Sequence, residues 1–187
     1  LYLHALDEII GFGPGNNVVL RTVAAQAHIL LNADAWLVGD SLSPALAHLA
    51  KTPSIGVIGV PLVYPDGAPQ TYVFMPSAWH RWLLYLLGLR HVASALIGIR
   101  PIRALMELVP FSRNFVANHG KPPLDLTDSK ALSESASLAR RRAAWVAGAA
   151  MVLAPRFVEN ARGFDPDLFL YGEDEDLCLR AHRLGFE

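Results

Sequence analysis

Three short, uninterrupted apolar runs constrain the fold of this chain more than any other feature. They cover residues 28–31, 54–60 and 144–153, and none of them contains Asp, Glu, Lys or Arg. A run of this kind is typical of a β-strand that is buried on both faces. Helical patterns at residues 18–27 and 43–51 precede the first and second runs. Alternating helices and buried strands predict the α/β class with a mostly parallel sheet.

Length and composition indicate a single globular domain. The chain has 187 residues, of which 52% are hydrophobic, and a net charge of −1, which excludes intrinsic disorder. Cys178 is the only cysteine, which excludes an intrachain disulfide, and the seven histidines show no zinc-ligand spacing. No apolar run reaches the roughly 18–20 residues of a membrane span. The chain begins with Leu1 and lacks the basic start of a signal peptide, so we expect it to be a piece of a longer protein.

Residues 76–142 differ in charge from the rest of the chain. They carry ten basic and four acidic side chains, a net charge of +6, whereas both flanking parts are acidic. We interpret this stretch as a helical insertion within one domain that spans residues 1–187. Its apolar segments with Arg at their borders favour peripheral contact with a membrane surface, and a buried helical subdomain fits equally well. Its basic residues form no dense patch, which argues against nucleic-acid binding.

Glycine and proline residues predict the turns. The stretch Gly11-Phe12-Gly13-Pro14-Gly15 is interpreted as a tight turn before the first helix. It could also hold a phosphate at that helix N-terminus, although it matches neither the dinucleotide-binding glycine pattern nor a P-loop. The remaining predicted elements are turns at 65–67 and 163–166, a strand at 71–74 and a helix at 173–184.

Asn32-Ala33-Asp34 directly follows the first predicted strand. Ligands bind at the carboxyl ends of strands in open α/β sheets, and carboxylate oxygens there suit Mg²⁺ or Mn²⁺ together with the phosphates of a substrate. The alternative is an ordinary loop, in which Asp34 acts as an N-cap or turn residue.

Four consecutive acids, residues 173–176, open the last predicted helix. One of these carboxylates could act as a general base while another holds a cation or a basic ligand. The alternative is the acidic first turn of a solvated helix, which the helix dipole favours. The dipole lowers a carboxylate pKa and the crowding of like charges raises it, so the two effects oppose each other.

Taken together and in order, these segments resemble the family 2 glycosyltransferases, and within them the bacterial rhamnosyltransferase-like branch. The resemblance covers about residues 1–75 and 143–187, and the last stretch is the most specific. The matching stretches are GFGPGNN at 11–17, LLNADA at 30–35, PDGAPQ at 65–70, WVAGAAM at 145–151 and GFDPDLFLYGEDEDL at 163–177.

The resemblance implies a GT-A-like fold, with a nucleotide-sugar at the strand ends. It implies inverting transfer of a sugar, such as rhamnose, from a nucleoside-diphosphate donor to a hydroxyl of a glycan or a lipid-linked acceptor. Mg²⁺ or Mn²⁺ is the implied cofactor. The implied setting is cell-wall or other cell-surface polysaccharide synthesis in the cytoplasm, at the inner face of the membrane.

The same resemblance assigns roles to individual residues. Asp174 corresponds to the general base, with Glu173 and Asp176 beside it. An inverting transfer needs such a carboxylate, because the acceptor hydroxyl has a high pKa and must lose its proton during the attack.

Four further residues are implied on the donor side. Asp34 corresponds to the metal-coordinating acid, and Asn32 stands where a strict Asp-x-Asp motif has its first acid. Gly148 falls where the backbone passes close to donor and acceptor, and Asn17 lies in the segment that borders the nucleotide.

Two parts of the family pattern fall outside this sequence. The family has a strand that would precede Leu1 and a metal-site histidine that would follow Glu187. We therefore expect either a piece of a longer transferase or a degraded relative. The alternative function is a non-catalytic module that binds a glycan or a partner protein.

Overall fold

The computed structural model describes residues 5–74, 128 and 143–187, which belong to one compact unit. The predicted insertion at 76–142 lies outside these residues, except for position 128. The described elements, in chain order, are α1 (Phe12–Leu20), β1 (His28–Leu31), α2 (Ser43–Lys51), β2 (Val57–Gly59), β3 (Val73–Phe74), β4 (Trp145–Val146), β5 (Ala150–Leu153), α3 (Pro155–Ala161) and α4 (Glu173–Arg183).

The α/β class is confirmed, but the strand directions differ from the prediction. The larger sheet has the order β1-β5-β2, and β5 pairs antiparallel with both neighbours. β1 and β2 each run opposite to β5. They therefore run in the same direction as each other, and they are not paired with each other. The described strand pairs are therefore all antiparallel. An apolar run carries no information about strand direction, which is why the sequence did not reveal this arrangement. The prediction that each run is buried on both faces was also wrong for β1, in which Ile29 and Leu31 are 45% and 40% exposed.

The apolar run at 144–153 forms two strands instead of one. β4 pairs antiparallel with β3, and the Phe74 and Trp145 rings stack with centroids 3.8 Å apart. The chain then turns at residues 147–149 and enters the larger sheet as β5. This turn lies beside the acidic start of α4.

The core surrounds β5. All four residues of β5 are buried, as expected for a central strand covered on both faces. The largest fully buried side chains come from β5, α3, α4 and the loop between the two helices, and they are Phe157, Phe164, Met151, Leu153, Leu177 and Val152.

α1 begins within the stretch that was predicted to be a turn and ends at Leu20, so the prediction of a helix at 18–27 was wrong at both ends. Gly11 has φ 97° and precedes the helix, whereas Gly13 and Pro14 lie in its first turn. Proline is tolerated there because the first helical N–H groups have no intrahelical partner. A Cβ at Gly13 would lie 3.0 Å from the Phe164 Cβ, so the glycine permits close packing inside the helix. The prediction was wrong because tertiary contact outweighs local helix propensity here.

α3 was not predicted from the sequence. Pro155 occupies its first turn, and Arg162 ends it in the left-handed conformation with φ 58°. The Gly163 N–H then donates to the Val158 carbonyl at 3.1 Å. Proline near the start and glycine after the end are recognised helix signals that could have revealed α3. Among the described residues, no helix combines the length and apolar character needed to cross a membrane.

Candidate active site

The acidic start of α4 is held by an unusual backbone conformation. Tyr171 and Gly172 both have positive φ, 67° and 91°, and turn the chain directly into the helix. The four acids at 173–176 then occupy the first turn, where the helix dipole stabilises negative charge. Left-handed φ is costly for a residue other than glycine, so the fold holds Tyr171 against a local preference.

Asp174 joins α4 to the turn between β4 and β5. Its Oδ2 accepts a hydrogen bond from the Gly148 backbone N–H at 2.9 Å, and its Oδ1 accepts one from the Glu175 N–H at 2.8 Å. The side chain is only partly buried, so it remains open to solvent on one side. Each carboxylate oxygen has further lone-pair capacity, which leaves acceptor positions for a ligand hydroxyl.

Asn32 reaches the same turn from the opposite side. Its backbone N–H donates to the Ala149 carbonyl at 3.0 Å, which extends the ladder between β1 and β5. Gly148 and Ala149 therefore connect the end of β1 to the start of α4. Three segments that are distant in sequence, around residues 32, 148 and 174, meet at one place.

Asp34 lies beyond Asn32 in an exposed turn, in which the Ala35 N–H donates to the Asn32 carbonyl at 3.0 Å. The Asn32 Oδ1 is buried and has no hydrogen-bond partner among the described residues. No group of three or more His, Cys, Asp or Glu side chains suited to a metal was found in the described part of the chain. Mg²⁺ is often held by one or two protein oxygens plus substrate phosphates, and the predicted metal role of Asp34 stays a prediction.

Glu173 is the most buried of the four acids, with 6% of its surface exposed. Burial raises its pKa above the ordinary value of 4.5, and hydrogen bonds from the backbone of Glu173 and Tyr171 partly offset this effect. The negative charge of Asp174 adds to the increase. The Oε2 of Glu173 has no hydrogen-bond partner among the described residues, so a negative charge on the Glu173 carboxyl is costly.

Glu173→Gln is expected to stabilise the folded chain at neutral pH. A carboxyl with a raised pKa in the folded state holds its proton more tightly than in the unfolded state, so stability falls as pH rises above the unfolded pKa of about 4.5. We expect the advantage of Glu173→Gln over the wild type to be smallest near pH 4 and to grow toward neutral pH. Urea unfolding between pH 4 and 8 measures this difference. A pH-independent difference would contradict the role of burial.

Asp176 has a structural role in the described fold. Its Oδ2 accepts a hydrogen bond from Arg180 Nε at 2.7 Å, and Arg180 in turn donates to the carbonyls of Ala161 and Gly163, both at 2.8 Å. This arrangement ties α4 to the C-terminal end of α3. The predicted catalytic role of Asp176 stays a prediction.

Asn17 lies in the core with 5% of its surface exposed. Its Nδ2 donates to the Phe164 carbonyl at 2.9 Å, and its Oδ1 accepts from the Phe164 N–H at 2.8 Å. Both polar ends of the side chain therefore hold the turn after α3. The predicted nucleotide contact of Asn17 stays a prediction, and the observed bonds give the residue a structural role.

Three aromatic neighbours of the site were given no role from the sequence. The Phe12 ring lies over the β4–β5 turn, since a Cβ at Gly148 would be 3.4 Å from Phe12 Cε1. The Phe12 N–H donates to the Phe169 carbonyl at 3.0 Å, which places α1 next to the loop before α4. In that loop Phe169 and Tyr171 are 56% and 85% exposed.

Comparisons of this chain with protein-family models, with curated proteins and with solved structures found no match.

Proposed function

We propose that this chain is the catalytic part of an inverting glycosyltransferase with a GT-A-like fold, which uses a nucleoside-diphosphate sugar to build a cell-surface glycan. The observation that carries the proposal is the bond between Asp174 Oδ2 and the Gly148 N–H. It fixes a partly exposed carboxylate beside the turn that also bonds to Asn32. The acidic start of α4 and the end of β1 thus adjoin, as a transferase requires of its base and its donor site.

In the proposed reaction, Asp174 acts as the general base. The acceptor hydroxyl oxygen attacks the anomeric carbon of the donor while its proton passes to Asp174. The bond between the anomeric carbon and the phosphate oxygen breaks, and its electron pair leaves with the nucleoside diphosphate. The Gly148 and Glu175 N–H groups orient the carboxylate, so that little reorganisation is needed when the acceptor binds.

On the donor side, Asp34 and the Asn32 Oδ1 are the residues that would hold Mg²⁺ or Mn²⁺. When bound, such a cation would stabilise the negative charge of the departing pyrophosphate. The exposed rings of Phe169 and Tyr171, in the loop before α4, offer apolar faces to an acceptor glycan. Donors such as a nucleoside-diphosphate rhamnose belong to this proposal, as does action at the cytoplasmic face of a membrane.

A thermal-shift panel tests the donor site. We expect one of UDP, dTDP or GDP to stabilise the chain in the presence of Mn²⁺, by about 2.7 kcal/mol at 100 times its dissociation constant. Asp34→Ala should lose this stabilisation, whereas Glu159→Gln, which removes an exposed carboxylate on α3, should keep it. Equal shifts in both variants, or no shift from a folded wild-type chain with any nucleotide, would contradict the proposed donor site.

A non-catalytic binding module is the second candidate. It is favoured by the observation that both oxygens of Asp174 accept backbone hydrogen bonds, which is also what a purely structural link between α4 and the β4–β5 turn would show. Such a module would bind a glycan or a protein partner through the exposed side chains near Tyr171. The Asp174→Asn experiment described in the Discussion separates the two functions.

A further inference from the structure

A cavity lies beside the C-terminal half of α4. It has a volume of about 360 Å³, and its described walls come from α2, β2, β4 and the C-terminal half of α4. We name it the α2–β2 cavity. Its volume is within the range of small-molecule sites, which begins at roughly 300 Å³.

The α2–β2 cavity is separate from the acidic site. On α4 its lining residues are Cys178, Ala181 and His182, whereas the acids lie at 173–176. At about 1.5 Å per helical residue, Cys178 and His182 stand roughly 6 and 12 Å along the axis from Asp174. None of the residues assigned above to the base or the donor site is among the described lining residues.

The walls of the cavity are mainly aliphatic. Ala45 on α2, Val57 and Ile58 on β2 and Val146 on β4 contribute to them. Cys178 adds a neutral thiol, because burial raises its pKa to about 12. An aliphatic surface of this kind favours a hydrocarbon ligand, since each buried methylene contributes through the hydrophobic effect.

The polar lining residues decide which end group such a ligand carries. Glu187 is the one acidic residue of the described lining, and no Lys or Arg is present there to pair with an anion. A carboxylate or phosphate would be desolvated beside the Glu187 carboxylate, with no Lys or Arg among the described lining residues to compensate, which is unfavourable. His48 also lines the cavity, with its Nδ1 3.5 Å from Thr52 Oγ1, and its ring offers a hydrogen-bonding group to a ligand hydroxyl.

From these walls and polar groups we propose that the α2–β2 cavity binds an unbranched, uncharged aliphatic chain that ends in a hydroxyl group. The site is independent of the proposed transferase reaction, and its ligand is held by the aliphatic side chains of α2, β2 and β4.

The affinity of straight-chain alcohols, measured as thermal stabilisation of the full chain, tests the proposal. From hexanol upward, each added methylene should tighten binding about fourfold until the cavity is filled, and longer alcohols should then bind more weakly. The affinity of the chain for decanoate should be at least tenfold lower than its affinity for decanol. Adsorption to the general apolar surface would instead strengthen with every added methylene, and that result would overturn the proposal.

Two alanines of α2 provide a matched pair of variants. Ala45 lines the cavity, whereas Ala47 is exposed on the same helix and is not among the lining residues. Ala45→Phe should reduce the affinity for decanol at least tenfold by filling the cavity, and Ala47→Phe should leave it unchanged. Equal affinities in the two variants would overturn the proposal. If Ala45→Phe does not fold, the chain-length profile of the wild type decides alone.

Discussion

Asp174→Asn is expected to lower the rate of sugar transfer by about 10²–10⁴-fold while nucleotide binding persists. The amide cannot accept the proton of the acceptor hydroxyl, and positioned general bases contribute rate factors of this size. Asparagine has nearly the same shape, and its Oδ1 can still accept one of the two backbone hydrogen bonds from Gly148 and Glu175. The measurement is the initial rate of nucleoside-diphosphate release, with donor affinity determined on the same preparations.

Glu159→Gln is the matched control for this experiment. Glu159 is an exposed acid on α3, so the substitution removes one negative charge away from the proposed site. We expect transfer by Glu159→Gln to equal that of the wild type. If Asp174→Asn transferred sugar at the wild-type rate, Asp174 would not be the base. If the wild-type chain bound a glycan but released no nucleoside diphosphate, the binding-module function would be favoured.

Gly163→Ala is expected to destabilise the fold by at least about 3 kcal/mol. Gly163 has φ +77°, and a Cβ there would collide with the Oδ1 of Asn17. Left-handed φ costs an alanine roughly 1–2 kcal/mol. Displacing the Asn17 side chain would also break its two buried bonds to Phe164, and each unsatisfied buried group costs about 1–3 kcal/mol. Urea unfolding of the variant and the wild type gives the difference directly.

Gly15→Ala, a substitution of another glycine, this one on α1, is the control for Gly163→Ala. A Cβ at Gly15 would meet no heavy atom within 4 Å, and the residue lies inside the helix. Alanine is favoured over glycine in a helix by about 0.5–1 kcal/mol, so this variant should be slightly more stable than the wild type. Similar destabilisation by Gly15→Ala and Gly163→Ala would show that the Asn17 link to Phe164 does not hold the fold.

Elements with a strong local pattern were predicted well from the sequence. The strand at His28–Leu31 and the helix at Ser43–Lys51 are found at the predicted residues, and α4 ends within one residue of the prediction. These elements are specified by apolar periodicity and by residues near their ends. The direction of β5 and the division of 144–153 into two strands depend on how distant segments pair, and no local pattern reports that.

The candidate site was also predicted only in its local features, and the contacts between distant segments were not predicted. The sequence placed the acids at the start of a helix, but four adjacent carboxylates could not be told apart by position alone. The fold distinguishes them: Asp174 bonds to Gly148, Glu173 is buried and Asp176 pairs with Arg180. Asn17 was expected to border a ligand, and its structural link to Phe164 became visible only when α1 met the turn after α3.

Donor hydrolysis tests the central claim most directly. The folded chain would be incubated with Mn²⁺ and, in turn, with UDP-glucose, dTDP-rhamnose and GDP-mannose, with water as the acceptor, and the products followed by NMR. The account predicts that one donor is slowly cleaved to its nucleoside diphosphate, that the sugar is first released with inverted anomeric configuration, and that Asp174→Asn abolishes the reaction. Cleavage with retained configuration, or cleavage that continues undiminished in Asp174→Asn, would contradict it.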